Sequence, residues 1–301
     1  MDSMHFEQYY NYELSNGVTV RALQMKLLEI FLYLQKICEE NHLTYWCGGG
    51  TMLGAVRHHG FIPWDNDLDV FVPRPDYEKL HRIWPVVADT ERYRLVKSDR
   101  NHNYHHTASN LVDMYSTYVC KHVINEDIYH GVYIDVIPFE GVPESRIQRA
   151  IQIYHSIMYS VYNVQRLPVN QGWLLKLPTW ILLKLVRGNE KRYEVWKKHE
   201  KKMTEYNYYE AKYVKELVTS FRALFWPYER SVFDPVDAEF EGHKVKIPAG
   251  YDLYMRQIYG DDYMDIPKNP DMSTRYGVVE FLDLDTPYTE YRGIRYLKGQ
   301  K

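Results

Sequence analysis

Three aspartates spaced two residues apart, Asp65, Asp67 and Asp69, run directly into an apolar stretch. Residues two apart in a β-strand point to the same face, so a strand that begins near Asp67 aims Asp67 and Asp69 at one side. Two carboxylates aimed together repel each other unless a cation lies between them, and a hard divalent ion with oxygen ligands meets that need. The spacing therefore predicts a metal site, with a solvated turn before a strand as the ordinary alternative.

A glycine triplet followed by a threonine, residues 48–51, precedes these aspartates. Glycines let backbone N–H groups approach an anion closely, and the planar guanidinium of Arg57 suits a phosphate. Thr51 is predicted to N-cap a short helix through Val56, whose free N–H groups would face that phosphate. Glycine triplets also occur as plain turns, but the two elements together predict a metal-plus-phosphate site.

The sequence GGGTMLGAVRHHGFIPWDNDLDVFVP, residues 48–73, closely resembles the signature of the LicD family, which runs roughly GGTLLGAVRHxGFIPWDDDIDI. That family is part of the nucleotidyltransferase superfamily, and fukutin-type glycan-modifying proteins are its distant relatives. Residues 131–143, GVYIDVIPFEGVP, resemble the second block of the family, and residues 225–267, with FEG and YGD, resemble its C-terminal block. Asn66 stands where the family usually carries another aspartate, which leaves the alternating pair intact.

This resemblance implies a catalytic and metal-binding set formed by Asp67, Asp69 and Asp135, with Mg²⁺ or Mn²⁺ as the ion. Asp135, the third carboxylate of the superfamily pattern, would complete the coordination or deprotonate the attacking hydroxyl, and these two roles compete. The glycine turn and the resemblance together predict these substrate-binding residues: Gly49, Gly50, Thr51, Arg57, His58, Asp65 and Asp113.

LicD-type proteins use a CDP-activated alcohol, typically CDP-choline, and move its phospho-alcohol to a sugar hydroxyl of a cell-surface glycan, such as a lipopolysaccharide or teichoic acid precursor, with release of CMP. The resemblance implies the same metal-dependent reaction here, a transfer of a substituted phosphate group. Ethanolamine, glycerol and ribitol stay open as the alcohol, and so does a catalytically inactive module that binds a glycan or nucleotide. Aromatic faces hold a quaternary ammonium well, and candidate rings near the matched blocks are Trp46, Trp64, Tyr115 and Tyr133, with core packing as the alternative.

The predicted fold is α+β, a nucleotidyltransferase-like mixed β-sheet core flanked by helices, with a helical appended region. An amphipathic helix is predicted over residues 21–41, a strand from Asp67 to Pro73, and a helix from there to about Val87. Several further strands are predicted between residues 93 and 139. The predicted division of the chain is a catalytic core at 1–143, a helical region at 144–210, and a C-terminal segment at 211–301 that completes the LicD-like domain.

Composition predicts which partners and which cellular compartment suit this protein. A net charge of −3 over 301 residues excludes a broadly basic surface, so no nucleic-acid partner is expected. Three cysteines without CxxC spacing are predicted to be buried thiols in a reducing cytoplasm. The N-terminus is polar and lacks the pattern of a signal peptide, and no apolar run reaches the roughly 18–20 residues that span a bilayer.

One segment has the composition of a helix that binds a membrane surface. Residues 172–192 mix two tryptophans and several leucines with five lysines and arginines. Such a segment is typical of a helix that lies in the membrane interface with its cations toward anionic lipid. A peripheral position at the inner face of the membrane would suit an enzyme whose glycan acceptor is lipid-linked, and an ordinary buried helix is the alternative.

Overall fold

The computed structural model describes residues 6–167, 172–218, 223–268, 270, 272 and 276–298, with side chains in the helix after 171 described from residue 176. Helices and a mixed β-sheet combine in it, which confirms the predicted α+β class. The α-helices are α1 Glu7–Tyr10, α2 Val20–Glu40, α3 Gly49–His58, α4 Arg74–Val87, α5 Arg146–Val164, α6 Gly172–Leu185, α7 Asn189–Met203 and α8 Tyr251–Tyr259. The strands are β1 Glu13–Ser15, β2 Val18–Thr19, β3 Trp46–Cys47, β4 Asp69–Pro73, β5 Tyr93–Val96, β6 Ser109–Asp113, β7 Thr117–Cys120, β8 Val132–Val142, β9 Tyr213–Glu216, β10 Tyr228–Glu229, β11 Pro235–Phe240, β12 His243–Pro248 and β13 Val279–Asp283.

The long strand β8 organises the central sheet. Its middle part lies beside β4, and this pairing is parallel, with Asp69 opposite Asp135 at one end and Pro73 opposite Phe139 at the other. On its other edge β8 pairs antiparallel with β6 over its first half and with β9 over its second half. β3 continues the sheet beyond β4, β10 beyond β9, and β5 beyond β6, so the sheet is mixed as the sequence predicts.

The predicted amphipathic helix over residues 21–41 is confirmed as α2. Its buried side chains recur at helical spacing, with Leu23, Leu27 and Phe31 fully enclosed in the core against the sheet. Thr19 caps its start by accepting a hydrogen bond from the N–H of Ala22. The stripe of apolar residues is therefore what fixes this helix against the core.

The prediction for the helix after the glycine triplet was wrong at both ends. α3 begins at Gly49, two residues before the predicted cap Thr51, and it continues past Val56 to His58. The hydroxyl of Thr51 instead accepts a hydrogen bond from the backbone N–H of Asp69, 2.9 Å away. This contact across 18 residues uses the group that would otherwise cap the helix.

The aspartate strand also begins later than predicted. β4 starts at Asp69, so Asp67 lies just ahead of the strand, while Leu68 and Val70 are buried as expected. The helix predicted to follow Pro73 is confirmed as α4, with proline in its first turn.

Residues 144–210 are largely helical and contain α5, α6 and α7. β9, which follows them, returns to the sheet that β4 and β8 form, so the C-terminal part of the chain adds strands to the same sheet as the N-terminal part. The division into three regions stays a prediction. Across the described ranges, every helix falls short of the combined length and apolarity that crossing a bilayer requires.

The turn between β11 and β12 holds the loop that leads to the aspartates. Glu241, at this turn, accepts two hydrogen bonds from the guanidinium of Arg21, at 2.9 and 2.6 Å, and one from the N–H of Phe61 at 3.0 Å. Its own N–H donates to the carbonyl of His59 at 2.8 Å, and Phe240 packs edge-on against Phe61. The FEG sequence of the C-terminal block therefore fixes the segment between α3 and β4.

We expect Glu241→Gln to lower the free energy of unfolding by about 1–3 kcal/mol at pH 7, because it weakens hydrogen bonds made to a charged group. Burial acts to raise the pKa of Glu241, but the hydrogen bonds from Arg21 and Phe61 outweigh it and lower that pKa. A carboxyl of this kind stabilises the fold above its unfolded-state pKa, and the stabilisation is lost as the pH falls through the folded-state value. Urea unfolding should therefore show a smaller difference from wild type at pH 3 than at pH 7.

Glu239→Gln, at an exposed position of the same hairpin, is the matched control and should leave stability unchanged at both pH values. An equal loss of stability for Glu241→Gln at pH 3 and pH 7 would contradict the assignment of these hydrogen bonds to an ionised carboxylate.

Candidate active site

The parallel pairing of β4 with β8 brings Asp69 and Asp135 together. The two residues are register partners in the ladder, and the N–H of Asp135 donates to the carbonyl of Leu68 at 2.9 Å. Register partners on neighbouring strands project their side chains from the same face, about 4.8 Å apart at the backbone. Asp67, exposed and just ahead of β4, lines the same cavity as Asp135. Carboxylates that are 66 residues apart in sequence thus meet on one face of the sheet, where β4 begins.

The Asp69 carboxyl lies among other acidic side chains. Burial, and then the charges of Asp67, Asp135 and Glu216, raise the pKa of Asp69 well above its usual range. No lysine or arginine nitrogen of the described ranges lies within 4.0 Å of its carboxylate. Burial also raises the pKa of Asp135, to which the charge of Asp67 adds. The electrostatic potential at these carboxyl groups is therefore negative, which favours the binding of a cation.

Asp135 has two polar neighbours that the sequence did not single out as partners. Asn110, its register partner on β6, donates a hydrogen bond from Nδ2 to Asp135 Oδ1 at 2.5 Å. The Nε2 of His106 lies 3.7 Å from the same oxygen. His106 belongs to the loop between β5 and β6. The other two histidines of this loop point elsewhere, since His102 packs on Tyr104 and His105 faces a backbone carbonyl of α5. One histidine of the loop, rather than a histidine cluster, therefore reaches the carboxylates.

The glycine turn lies directly against these acidic side chains. A Cβ added at Gly49 would lie 2.8 Å from Asp69 Oδ2, and one added at Gly50 would lie 2.8 Å from Asp65 Oδ2. Gly49 also has a φ of +39°, a conformation that other residues adopt only with strain. The first turn of α3 must therefore be side-chain-free at two successive positions for the aspartates to approach it.

We expect Gly49→Ala to lower turnover at least about tenfold, because the added methyl group displaces the Asp69 carboxylate. Gly242→Ala is a matched control, since Gly242 has a φ of +75° and nothing within 4 Å of an added Cβ. Both variants should lose about 1–2 kcal/mol of stability from backbone strain, but Gly242→Ala should keep its activity. Steady-state kinetics and thermal unfolding would check this, and equal activity of the two variants would refute the steric reading.

Arg57 is held by backbone carbonyls of the C-terminal segment. Its Nη1 donates to the carbonyl oxygens of Tyr263 at 2.7 Å and Asp265 at 3.0 Å. Within the described part of the chain, no carboxylate oxygen lies within 4.0 Å of this guanidinium. Arg57 thus fastens the C-terminal block to α3 and has no acidic partner among the described residues, a property that suits a phosphate. Its predicted role in holding the donor stays a prediction.

His58 supports Arg57. Its Nε2 accepts a hydrogen bond from Arg57 Nε at 3.0 Å, and its ring packs edge-on against Phe6 and Trp64. Burial and the charge of Arg57 lower the pKa of His58 to about 4, so the ring is neutral at pH 7. A neutral imidazole in this position orients Arg57, and a direct contact of His58 with substrate stays a prediction.

Asp113 is placed away from the carboxylates. It lies three residues beyond Asn110 on β6, so its side chain points to the opposite face of the sheet. It is fully buried there and forms ion pairs with Lys26 at 3.1 Å and Arg92 at 3.6 Å. The structure therefore does not bring Asp113 together with the other predicted substrate-binding residues, while Asp65 is buried beside Gly50.

Tyr259, from the YGD of the C-terminal block, reaches the site. Its hydroxyl lies 3.6 Å from the position of a Cβ on Gly49. Burial, and then the charges of Asp69 and Asp67, raise its pKa, so the phenol stays protonated and can donate a hydrogen bond. Tyr259 is a candidate site residue whose motif the sequence shows, but whose position depends on the Arg57 contacts with the segment that follows it.

A cavity of about 380 Å³ opens beside Asp67 and Asp135. Its other described lining residues are Asn66, Tyr118, Cys120, His122, Tyr133 and Val278. The rings of Tyr118 and Tyr133 are stacked with centroids 5.9 Å apart. Burial lowers the pKa of His122 and raises that of Cys120 to about 11, so both are neutral at pH 7. No lysine or arginine is among the described lining residues, and the cavity is acidic and aromatic.

Of the four rings predicted as candidates for holding a cation, Tyr133 lines this cavity. Trp46 is buried in the core against Phe139, and Trp64 packs with the N-terminal residues of the described chain. Tyr115 is exposed and is not among the lining residues. Tyr118, which the sequence did not single out, lines the cavity together with Tyr133, because β7 lies next to the site.

The donor chemistry of these side chains fits a hard divalent cation. Among the described residues, no three His, Cys, Asp or Glu side chains are grouped closely enough to hold a metal ion by themselves. Mg²⁺ is commonly bound by one or two carboxylates, with substrate phosphates and water completing its coordination. The register pair Asp69 and Asp135, which lies among other acidic side chains, fits that mode of binding.

Comparison with known proteins agrees with these features. Residues 42–162 match the family model described as the LicD/FKTN/FKRP nucleotidyltransferase domain. The chain is 25% identical over 277 residues to the lipopolysaccharide cholinephosphotransferase LicD of Haemophilus influenzae, a match that covers 86% of this chain and 96% of that protein. It is also 25% identical over 118 residues to the human ribitol 5-phosphate transferase FKRP, covering 34% of this chain and 22% of that protein.

Proposed function

We propose that the chain, whose residues 42–162 match the nucleotidyltransferase domain of the LicD family, transfers a phospho-alcohol from a CDP-activated donor to a sugar hydroxyl of a glycan, with release of CMP. The observation that carries the proposal is the register pairing of Asp69 with Asp135 beside the glycine turn. The relative from Haemophilus influenzae, which the chain matches along almost its whole length, bears the name of a phospho-alcohol transferase that acts on a glycan.

In this reaction the acceptor oxygen attacks the phosphorus that carries the alcohol, the bond from that phosphorus to the CMP oxygen breaks, and CMP leaves with the electron pair. The protein's task is to position the groups and balance their charge. Asp67, Asp69 and Asp135 would hold Mg²⁺ or Mn²⁺, which supplies charge neutralisation at the donor phosphates. Arg57 and the hydroxyl of Tyr259 would contact the same phosphates.

The acceptor hydroxyl must lose its proton as it attacks. Asp135 is the candidate acceptor of that proton, because burial raises its pKa and makes it more basic than an exposed carboxylate. The hydrogen bond from Asn110 fixes its orientation, and the Nε2 of His106 lies 3.7 Å from the same oxygen. This role competes with metal binding by the same carboxylate.

The alcohol that we propose is choline. Stacked tyrosines and two carboxylates in the cavity lining suit a quaternary ammonium, and no lysine or arginine is among the described lining residues to repel it. A different CDP-alcohol is the alternative, and the match to a ribitol 5-phosphate transferase supports keeping ribitol among the donors to be tested. A lipid-linked acceptor would place the reaction at the cytoplasmic face of a membrane.

We expect Tyr133→Leu to raise the KM for CDP-choline about tenfold, since it removes a π face from the cation, and to change the KM for CDP-glycerol little. Tyr115→Leu, at an exposed position outside the cavity lining, is the control and should alter neither value. Steady-state kinetics with both donors measure this. An equal rise in KM for both donors would show that Tyr133 does not recognise the ammonium group.

The reaction itself is tested by mass spectrometry after incubation with Mg²⁺, lipopolysaccharide oligosaccharides and four donors: CDP-choline, CDP-ethanolamine, CDP-glycerol and CDP-ribitol. Release of CMP with an acceptor mass gain equal to phosphocholine would establish both the reaction and the donor. A gain equal to another phospho-alcohol would keep the reaction and change the alcohol. A gain equal to CMP would instead identify nucleotidyl transfer, and no product from folded protein would favour a binding module.

A further inference from the structure

Helix α6 exposes an apolar stripe. Leu177, Trp180, Ile181 and Leu185 are between 44% and 73% exposed. They follow the spacing of one helical face. The intervening Leu182 and Leu183 pack against the core instead, so α6 has an inner face that holds it to the protein and an outer apolar face. Large side chains of this kind at a contiguous surface indicate an interaction site.

The same helix is strongly cationic at its surface. Lys176, Lys184 and Arg187 are exposed, and residues 172–188 contain no aspartate or glutamate. The Nζ of Lys184 lies 5.6 Å from the ring centroid of Trp180, so cation and apolar face are interleaved. A helix of 14 residues spans about 21 Å, less than a bilayer core of about 30 Å. Its dimensions and charge thus fit a helix that lies on anionic lipid rather than one that crosses it.

A short chain of contacts connects α6 to the carboxylates. The hydroxyl of Tyr162 on α5 donates to the carbonyl of Leu182 at 3.1 Å. The adjacent residue Asn163 donates from Nδ2 to the carbonyl of His106 at 3.2 Å, and His106 faces Asp135. The end of α5 therefore contacts both α6 and the loop that reaches the candidate site.

We propose that the outer face of α6 docks on an anionic membrane surface and that, given the proposed function, this contact presents a lipid-anchored glycan to the carboxylates. A second copy of the chain is a poorer occupant of the same face. In a symmetric dimer the face would meet itself, which brings three cations against three cations without an acidic residue of the segment to offset them.

Flotation of the full chain with vesicles tests the docking without reference to activity. The protein should float with vesicles of 70% phosphatidylcholine and 30% phosphatidylglycerol (roughly the anionic content at which cationic helices bind), and not with pure phosphatidylcholine. Trp180→Asp should abolish flotation, and the triple variant Lys176→Glu, Lys184→Glu, Arg187→Glu should weaken it by at least about tenfold. Val86→Asp, at a position on α4 that is 85% exposed, is the matched control and should float like wild type.

Several outcomes would overturn the docking proposal. These are no flotation of wild type, equal flotation with neutral vesicles, or a Trp180→Asp variant that floats normally. A wild-type dimer in size-exclusion chromatography that Trp180→Asp converts to monomer would assign the face to self-association. Transfer from CDP-alcohols to a soluble oligosaccharide reports on the proposed function separately, and Trp180→Asp should leave it unchanged, which also shows that the variant is folded.

Discussion

We expect Asp69→Asn to lower the turnover number for phospho-alcohol transfer by about 10²–10⁴-fold. The substitution keeps the shape of the side chain and removes the charge from one of the two register-paired carboxylates. Because burial and neighbouring charges raise the pKa of Asp69, its ionised form is disfavoured in the site, and a bound divalent cation would offset that cost. The comparison of turnover at saturating donor and Mg²⁺ measures the loss.

The same variant should remain folded. A carboxyl whose folded-state pKa is raised stabilises the fold fully below its unfolded-state pKa, and this stabilisation is lost as the pH rises through the folded-state value, so the carboxyl does not stabilise the fold at high pH. Without divalent ions, Asp69→Asn should therefore melt at the same temperature as wild type or higher. Asp285→Asn, at an exposed position, is a control that should change neither stability nor turnover.

Asp67→Ala should lower turnover by a similar factor, and Asp135→Asn should do so as metal ligand or as proton acceptor. Near-normal turnover in Asp69→Asn or Asp67→Ala would reject the assignment of these carboxylates to the metal. A normal turnover in Asp135→Asn would leave a two-carboxylate site and remove the proposed proton acceptor.

The carboxylates could be predicted from sequence because their signal is local. Asp67 and Asp69 stand at the start of an apolar strand, and Asp135 lies in an alternating apolar run. Their meeting was implied by the family pattern, but the parallel register that produces it is a property of the sheet. The spacing of residues in the sequence does not predict that register, because β4 and β8 are separated by three other strands along the chain.

The residues that complete the site could not be predicted for the same reason. Asn110 reaches Asp135 only because β6 pairs with the first half of β8, and Tyr118 reaches the cavity only because β7 lies beside it. Tyr259 depends on a segment more than 190 residues beyond Asp67 that Arg57 fastens to α3. Thr51 shows the opposite error. A local rule predicted it as a helix cap, but its hydroxyl accepts a long-range hydrogen bond from the N–H of Asp69.

A buried ion pair continues the ladder that joins Asp69 to Asp135. Arg74 and Glu140 follow directly after the last register partners of β4 and β8, and Arg74 Nε donates to Glu140 Oε1 at 2.7 Å. The guanidinium also lies over the ring of Tyr77, 4.9 Å from its centroid. Burial raises the pKa of Glu140 even beside Arg74, which shows how strongly this position disfavours charge.

We expect Glu140→Gln to lower the free energy of unfolding by about 3–5 kcal/mol, because it leaves the charge of Arg74 buried without its main partner. The double variant Arg74→Met, Glu140→Leu should lie close to wild type, since well-packed apolar residues replace both charges. Urea unfolding of the two variants measures the difference, and a double variant as unstable as Glu140→Gln would contradict this account.

Turnover in the double variant then separates two roles of the pair. If the variant is stable but turns over slowly, the ion pair is needed to hold the register in which Asp69 faces Asp135, because the charges are gone while the packing volume remains. If it is stable and turns over normally, the backbone hydrogen bonds between β4 and β8 set that register by themselves. In either case the comparison shows which interaction places the two carboxylates where a divalent cation can bridge them.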